Sequence, residues 1–196
     1  LNALEAAEPA LERIVYISTS GVYGDCHGDF VDEARPARPQ SDRARRRTDA
    51  ESQLLSFGRR RGCRIAILRA PGIYAADRLP LRRLRNRTPV LREEDDVYTN
   101  HIHADDLAAM CVAALSHPMA EGIYNACDDG AMPMGAWFDL LADRAGLPRA
   151  PRIARHDASE LIPPPLLSFM SESRRLLNAK IKRELGFVLR HPTVYE

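Results

Sequence analysis

The chain has 196 residues, of which 45% are hydrophobic and 28% charged, and its formal net charge at pH 7 is +1. This length suits one domain, or one domain with a small additional lobe. The near-zero charge gives no electrostatic preference for nucleic acid or for a membrane surface, and no apolar run approaches the roughly 20 residues that span a bilayer. The four cysteines form no Cys-x-x-Cys pair, which is typical of reduced thiols in a cytoplasmic protein.

The first strong pattern lies in residues 13–25. Leu4, Ala7 and Leu11 before it are spaced as on one helix face, and an apolar run over 14–17 then predicts a buried parallel strand. This strand ends in three consecutive hydroxyl residues, Ser18, Thr19 and Ser20, before a glycine turn. Ligands of open α/β sheets bind beyond the carboxyl ends of strands, so the hydroxyls are candidates for ligand contacts, although ordinary turn chemistry explains them equally well.

The next helix is predicted over 42–57, with Ser41 as N-cap and Gly58 as its C-terminal stop. Its apolar face consists of Ala50, Leu54 and Phe57, whereas arginines crowd its first half. This arginine run is interpreted as a solvated face, with an anion-binding face as the second interpretation. Nucleic-acid binding is the third, and the near-neutral charge of the chain opposes it.

The remaining elements follow in order. A buried strand is predicted over 63–69, broken by Pro71 and Gly72, and a short basic helix within 78–87 that could reach a phosphate or carboxylate. Further predicted elements are a buried helix over 106–116, a strand over 122–128, a helix over 134–145 stopped by Gly146, an irregular segment over 148–165, a strand over 173–178, and a helix over 179–185 with Asn178 as N-cap and Gly186 as stop.

Two histidines suggest metal binding by their spacing. His101 and His103 lie on alternate positions of an extended segment and therefore point the same way, with Asp106 nearby. No further ligand set is evident in the sequence, and an acidic residue at the start of a helix has an ordinary structural explanation. We therefore predict no metal site.

Several segments resemble one protein family. Residues 17–25, Ile-Ser-Thr-Ser-Gly-Val-Tyr-Gly-Asp, are similar to a strand and loop of extended short-chain dehydrogenases/reductases, the NAD-dependent epimerase/dehydratase family. Residues 69–74 resemble that family's Arg-x-x-x-Val-Tyr beside the nicotinamide, residues 102–107 its Ile-His-Val-x-Asp-Leu, and residues 124–125 its Tyr-Asn. The resemblance implies an α/β, Rossmann-type doubly wound parallel sheet with a small C-terminal α/β substrate lobe, binding NAD or NADP and a small-molecule substrate.

The resemblance also implies roles for individual residues. Thr19 and Ser20 would orient the substrate as catalytic residues. Cofactor contacts are expected from Ser18, Arg47, Pro71, Gly72, Ile73 and Tyr74. Substrate contacts are expected from Tyr23, Arg43 and His103.

The sequence departs from the family pattern at two places. It contains no Gly-x-x-Gly-x-x-Gly motif, so we expect the C-terminal two-thirds of a longer protein. The family's Tyr-x-x-x-Lys is replaced by Arg43 and Arg47, and an arginine that stays protonated cannot shuttle a proton as tyrosine does. The sequence therefore leaves two hypotheses: an atypical epimerase/dehydratase, or a non-catalytic dinucleotide-binding sensor or scaffold.

The expected organisation has two parts. Residues 1–76 would belong to the dinucleotide-binding domain, and residues 77–196 would combine its remaining elements, over about 100–128, with the substrate lobe. Relatives often form a homodimer through a four-helix interface that would include the helix over 42–57, an arrangement that the arginines on this helix oppose.

Overall fold

The structure is a computed structural model that describes residues 2–6 and 11–195. The strands of this part of the chain are, in order, β1 (Arg13–Thr19), β2 (Phe30–Val31), β3 (Arg64–Ala70), β4 (Gly72–Tyr74), β5 (Val90–Leu91), β6 (Tyr98–His103), β7 (Gly122–Asn125), β8 (Ala131–Pro133), β9 (Arg152–Ile153) and β10 (Arg175–Leu176). Its α-helices are α1 (Asn2–Glu5), α2 (Asp42–Arg61), α3 (Leu81–Arg85), α4 (Ala104–Ser116), α5 (Met134–Ala145), α6 (Ala158–Leu161), α7 (Pro164–Leu167) and α8 (Ala179–Leu185).

A parallel sheet in the order β1-β3-β7 forms the centre of the fold. Leu54 of α2 packs against Ile65 and Ile67 on one face of β3, while α4 and α8 cover Ala66 and Leu68 on the other. Because helices cover both faces, the middle strand is a continuous apolar run rather than an alternating one. The predicted α/β, Rossmann-type architecture is confirmed.

Strand β1 lies at the edge of this sheet. Among the described residues it pairs with β3 alone, and its Ile17 is 43% exposed. At its start, the Arg13 guanidinium donates hydrogen bonds to the carbonyls of Ala114 and Leu115 at the end of α4. A cation at a helix C-terminus satisfies carbonyls that lack intrahelical partners. Of the predicted N-terminal helix face, Ala7 lies outside the described residues.

Helix α2 is longer at its C-terminal end than the predicted helix over 42–57. Ser41 caps its start as predicted, accepting the Ala44 N–H at 3.2 Å, but the helix continues through Gly58 to Arg61 and ends at Gly62, whose φ is +67°. A Cβ on Gly58 would lie 2.5 Å from the Cys63 carbonyl oxygen and from Ile65 Cγ1. Gly58 therefore permits close contact between helix and strand, and Gly62 supplies the left-handed stop.

A second hydrophobic core lies in the C-terminal lobe, around α3, α5 and the short parallel pair β5–β9. Helix α5 has the predicted bounds and buries Trp137, Phe138 and Leu141 in this core. The prediction that 148–165 is irregular is wrong in part, because β9 and α6 form there and the start of α7 follows. Burial of Ala158 and Ile162 against the core explains why this proline-rich segment is ordered.

The tail returns to the main sheet region. Strand β10 pairs with β2, and α8 ends at Gly186 as predicted, with φ +60°. Asn178 precedes α8 but does not cap it through its side chain; its amide donates instead to Cys127, Asp128 and Asp129.

The described residues also bear on two composition-based expectations. The four cysteines are free, as predicted, and those other than Cys111 are buried. No described helix combines the length and apolar character needed to cross a membrane.

Candidate functional site

A cavity of about 480 Å³ lies beyond the carboxyl ends of β1 and β3. Thr19 and Ser20 line it from the end of β1, and Gly72 from β4. Trp137 and Phe169 line it from the C-terminal lobe. The cavity thus lies where open parallel sheets bind ligands, between the sheet and the second core.

The hydroxyl cluster divides between the cavity and the interior. Thr19 is the N-cap of the 3₁₀ turn Ser20–Tyr23, and its Oγ1 accepts the Gly21 N–H at 3.2 Å. The Thr19 hydroxyl proton stays available as a donor to a ligand, so turn chemistry and ligand binding are compatible at this position.

Ser18 points away from the cavity into a buried polar network. Its hydroxyl donates to Glu51, whose carboxylate also forms a bidentate ion pair with Arg69, Nε at 3.2 Å and Nη2 at 2.7 Å. The Arg69 guanidinium lies 4.6 Å from the centre of the Tyr23 ring, and the Tyr23 hydroxyl donates to Asn125 at 2.8 Å. Burial raises the pKa of Tyr23 to about 12. The network joins α2, β1, β3 and β7 beneath the cavity.

The two arginines at the family's Tyr and Lys positions have different surroundings. Arg43 lines the cavity, and its guanidinium lies 4.5 Å from the centre of the Phe169 ring. Arg47 does not line the cavity; its Nη1 donates to the Tyr16 hydroxyl at 2.7 Å on the exposed side of α2. Neither side chain can act as a proton shuttle, but Arg43 brings a positive charge to the cavity.

Further positive charge comes from α3, from the segment just before it, and from the tail. Arg78 and Arg83 line the cavity, as does Arg174, which forms an ion pair with Glu172 at 2.8 Å. The Arg83 guanidinium lies 4.3 Å from the Phe138 ring centre, and its Nε and Nη2 are shut off from solvent without a hydrogen-bond partner among the described residues. Burial lowers the pKa of Arg83. Glu172 is the sole acid among the described lining residues, so the side chains of the lining carry a net positive charge.

Aromatic rings form another wall. Tyr74, His101 and Trp137 all line the cavity, and the His101 ring lies 4.4 Å from the indole, measured between centroids. His101 is 6% exposed, and burial lowers its pKa to about 4. At neutral pH this imidazole is uncharged and offers one N–H donor and one acceptor.

The comparisons with known proteins agree with this fold. Residues 1–127 match the model of the NAD dependent epimerase/dehydratase family. The chain belongs to this family. A curated relative, protein YeeZ of Escherichia coli K12, is 24% identical over 184 residues, which are 93% of this chain and 60% of YeeZ.

Two solved structures extend the comparison. A conserved protein of unknown function from Silicibacter pomeroyi has a TM-score of 0.81 and 32% identity, over 92% of this chain and 62% of its own. The UDP-glucose 4-epimerase of Thermus thermophilus in complex with NAD has a TM-score of 0.70 and 23% identity, over 91% of this chain and 59% of its own. The chain therefore spans about 60% of the length of these relatives.

The structure collects most of the residues that the family resemblance singled out. Those that line the cavity are Thr19, Ser20, Arg43, Pro71, Gly72, Ile73 and Tyr74. Those that do not are Ser18, Tyr23, Arg47 and His103. The first two belong to the buried network, and His103 contacts Tyr74 from outside the cavity lining.

Other cavity residues were not predicted as members of the site. The basic helix was predicted to reach a phosphate or carboxylate, and this helix carries Arg83. His101 and Trp137 resemble structural residues in the sequence, because a buried polar ring and a core indole give the same pattern. Glu172 and Arg174 carried no signal, since the tail approaches the hydroxyl strand only through the tertiary fold: Arg174 donates to the Gly24 carbonyl at 2.7 Å.

Proposed function

We propose that the chain forms the substrate side of an NAD- or NADP-dependent epimerase/dehydratase-like oxidoreductase that acts on an anionic sugar nucleotide or a small carbonyl compound. The observation that carries the proposal is the cavity itself, which is lined by Thr19 and Ser20 together with Arg83, whose buried Nε and Nη2 have no hydrogen-bond partner among the described residues. A guanidinium without an acidic partner in such a place favours a ligand that brings its own negative charge.

The residues of the cavity fit the nicotinamide end of the cofactor. One wall is lined by four consecutive residues, Pro71, Gly72, Ile73 and Tyr74, and the same cavity is lined by Thr19 and Ser20. When bound, the cofactor would supply hydride transfer. This chain contains no glycine-rich phosphate loop, so the residues proposed to contact the cofactor are those of the cavity wall. Ser18, which donates to the buried Glu51, and Arg47, which donates to Tyr16 outside the cavity, are not placed to contact it there. We assign residues 1–76 and about 100–128 to the dinucleotide-binding domain, and the rest to the substrate lobe.

The side chains of the cavity suggest how a substrate would be held. The Thr19 hydroxyl would donate to a substrate oxygen, with its geometry fixed by the Gly21 N–H. The neutral His101 imidazole provides a second donor that carries no charge. Arg43 and Arg83 would bind phosphate or carboxylate oxygens, and Arg43 does not replace the proton shuttle of tyrosine.

A second candidate is a non-catalytic dinucleotide-binding sensor or scaffold. The observation in its favour is that Arg43, at the family's tyrosine position, packs on Phe169 inside the cavity. A cation at that point favours binding of an anion but provides no proton transfer, so this candidate predicts binding of ligand without turnover.

The decisive experiment measures binding and turnover on the full-length protein. NADH and NADPH fluorescence titrations test for the cofactor, and NAD-dependent turnover of UDP-glucose compares wild type with Thr19→Ala. Ser52→Ala is the matched control, since the Ser52 hydroxyl is exposed on α2 and donates to Thr48. We expect saturable NAD(P)H binding in all three proteins and at least roughly tenfold slower turnover in Thr19→Ala alone, the cost of about one hydrogen bond in the transition state.

Each other outcome removes part of the proposal. No NAD(P)H binding by the full-length protein would contradict the cofactor assignment. Equal turnover in Thr19→Ala and wild type would remove the role of Thr19. Cofactor binding without turnover of any tested sugar nucleotide or carbonyl compound would leave the sensor or scaffold as the better description.

A further inference from the structure

A cluster of metal-ligating side chains lies next to the cavity and has no part in the proposed function. His103 at the end of β6, Asp105 at the start of α4, and His191 in the tail each offer a ligand atom, and these atoms lie within 4.8 Å of one another. The His103 and His191 rings stack, with their centroids 3.8 Å apart and an interplanar angle of 33°. The fold therefore brings a ligand from the end of the chain to a pair that is close in the sequence.

The backbone around this cluster is held by buried hydrogen bonds. Asp106, which is fully buried, accepts the backbone N–H groups of Arg190 and His191 at 2.9 Å each. Because Asp106 also belongs to the first turn of α4, it ties the tail directly to the helix that carries Asp105. The Tyr74 ring contacts His103 with centroids 5.1 Å apart. The fold thus holds the backbone of all three ligand residues in place.

We propose that His103, Asp105 and His191 form a binding site for a divalent transition-metal ion. Two imidazoles and one carboxylate are ligands that zinc and its neighbours accept, whereas calcium and magnesium prefer oxygen ligands alone. Three protein ligands leave a coordination position for water or a small anion. The Asp105 side chain is 69% exposed, so a metal ion can enter from solvent.

The geometry also separates this cluster from the other histidine of the same strand. His101 and His103 both contact Tyr74, as expected for alternate positions of one strand. The His101 ring, however, packs against Trp137 in the cavity and does not belong to the cluster. The ligand that the spacing of the sequence could not predict is His191, because it lies far from His103 along the chain.

The test is a titration of the chain with Zn²⁺ against a chromophoric chelator, with Co²⁺ absorption spectra as a second readout. We expect one equivalent to bind wild type, and His103→Asn or His191→Asn to weaken that binding at least about tenfold, since loss of even an outer-shell partner commonly costs that much. Asparagine at position 103 retains an N-cap acceptor, because His103 Nδ1 accepts the Asp105 N–H at 3.2 Å.

His117→Asn is the matched control. His117 Nδ1 accepts the Met119 N–H at 3.3 Å, the same local hydrogen bond, but His117 is not part of the cluster. This variant should bind Zn²⁺ as wild type does. Zn²⁺ should raise the urea midpoint of unfolding in wild type and in His117→Asn, but not in His103→Asn or His191→Asn. Three outcomes would overturn the site: no stoichiometric binding by wild type, wild-type affinity in His191→Asn, or a thiolate-to-cobalt charge-transfer band, which would assign the metal to a cysteine.

Discussion

Two largely buried arginines show how the same side chain meets opposite surroundings in two regions of the molecule. The Arg69 side chain, on the middle strand β3, is 5% exposed and forms a bidentate ion pair with Glu51 of α2. Arg83 lies against Phe138 in the cavity wall, with buried nitrogens that no described residue satisfies. An internal charge with a partner joins elements together, whereas one without a partner costs stability and favours an incoming anion.

The largest expected effect comes from taking the partner away from Arg69. In Glu51→Leu the guanidinium would stay buried without its carboxylate, and the Ser18 hydroxyl would lose its acceptor. We expect the free energy of unfolding to fall by roughly 3–5 kcal/mol, the usual cost of breaking a buried ion pair. Urea denaturation followed by circular dichroism measures it. A change below about 1 kcal/mol would show that Arg69 does not depend on Glu51, and the comparison between the arginines would fail.

Two buried acids, Asp106 and Asp128, differ in the same way as the two arginines, and the pH dependence of stability tests the difference. Asp106 has two backbone N–H partners, whereas Asp128 is 1% exposed and its Oδ2 has none among the described residues. Burial, with the nearby charges of Asp129 and Asp106, raises the pKa of Asp128 to about 7. The folded state therefore holds a proton that the unfolded chain has lost, and Asp128 makes stability fall as pH rises from about 4 to 7.

His101 acts in the opposite direction over almost the same range. Its pKa is lowered to about 4 by burial, so the unfolded chain binds the proton first and stability falls as pH drops from about 6.5 to 4. The contributions reach at most about 4 kcal/mol for Asp128 and about 3 kcal/mol for His101, at about 1.36 kcal/mol per pKa unit.

Two variants separate these slopes. Asp128→Asn should leave stability that rises between about pH 4 and 6.5, and His101→Gln should leave stability that falls between about pH 4 and 7, both measured by urea midpoints at several pH values. If both variants keep the wild-type profile, neither group titrates in the range that its burial implies.

Local rules predicted the elements of the fold, and tertiary contacts decided the exceptions. Gly146 and Gly186 end helices at φ +62° and +60°, as their positions after apolar faces indicated. Gly58 has the same setting in the sequence, yet it lies inside α2. Glycine is needed there because Ile65 leaves no room for a Cβ. Glu51 likewise lies on the buried face of α2, and the need for a carboxylate there follows from Arg69 on β3.

The site was predictable as far as it lies on contiguous segments. The hydroxyl strand and residues 71–74 could be found because each segment carries its own motif. Glu172 and Arg174 could not, because they reach the cavity through long-range packing of the tail, and His191 reaches the neighbouring cluster of His103 and Asp105 in the same way. A pattern of spacing reports neighbours on one element, and it is silent on partners from another.

The smallest expected effect tests the other side of the comparison, at Arg83. Arg83→Met removes the unpaired charge and keeps an apolar side chain against Phe138, so the free energy of unfolding should stay equal or rise slightly. Binding of UDP, measured by isothermal titration calorimetry, should weaken by roughly tenfold, the equivalent of about 1.4 kcal/mol.

Arg85→Met serves as the control for that measurement, because Arg85 lies on the same helix, is exposed and does not line the cavity. It should lower the affinity for UDP only through its share of the general positive charge, an effect that salt screens. A tenfold loss in Arg83→Met that persists at high salt would identify a direct contact with the anion. Equal losses in both variants, vanishing at high salt, would mean that the cavity attracts anions by net charge alone. Arg83 would then differ from Arg69 in its effect on the stability of the fold, but it would not contact the anion directly.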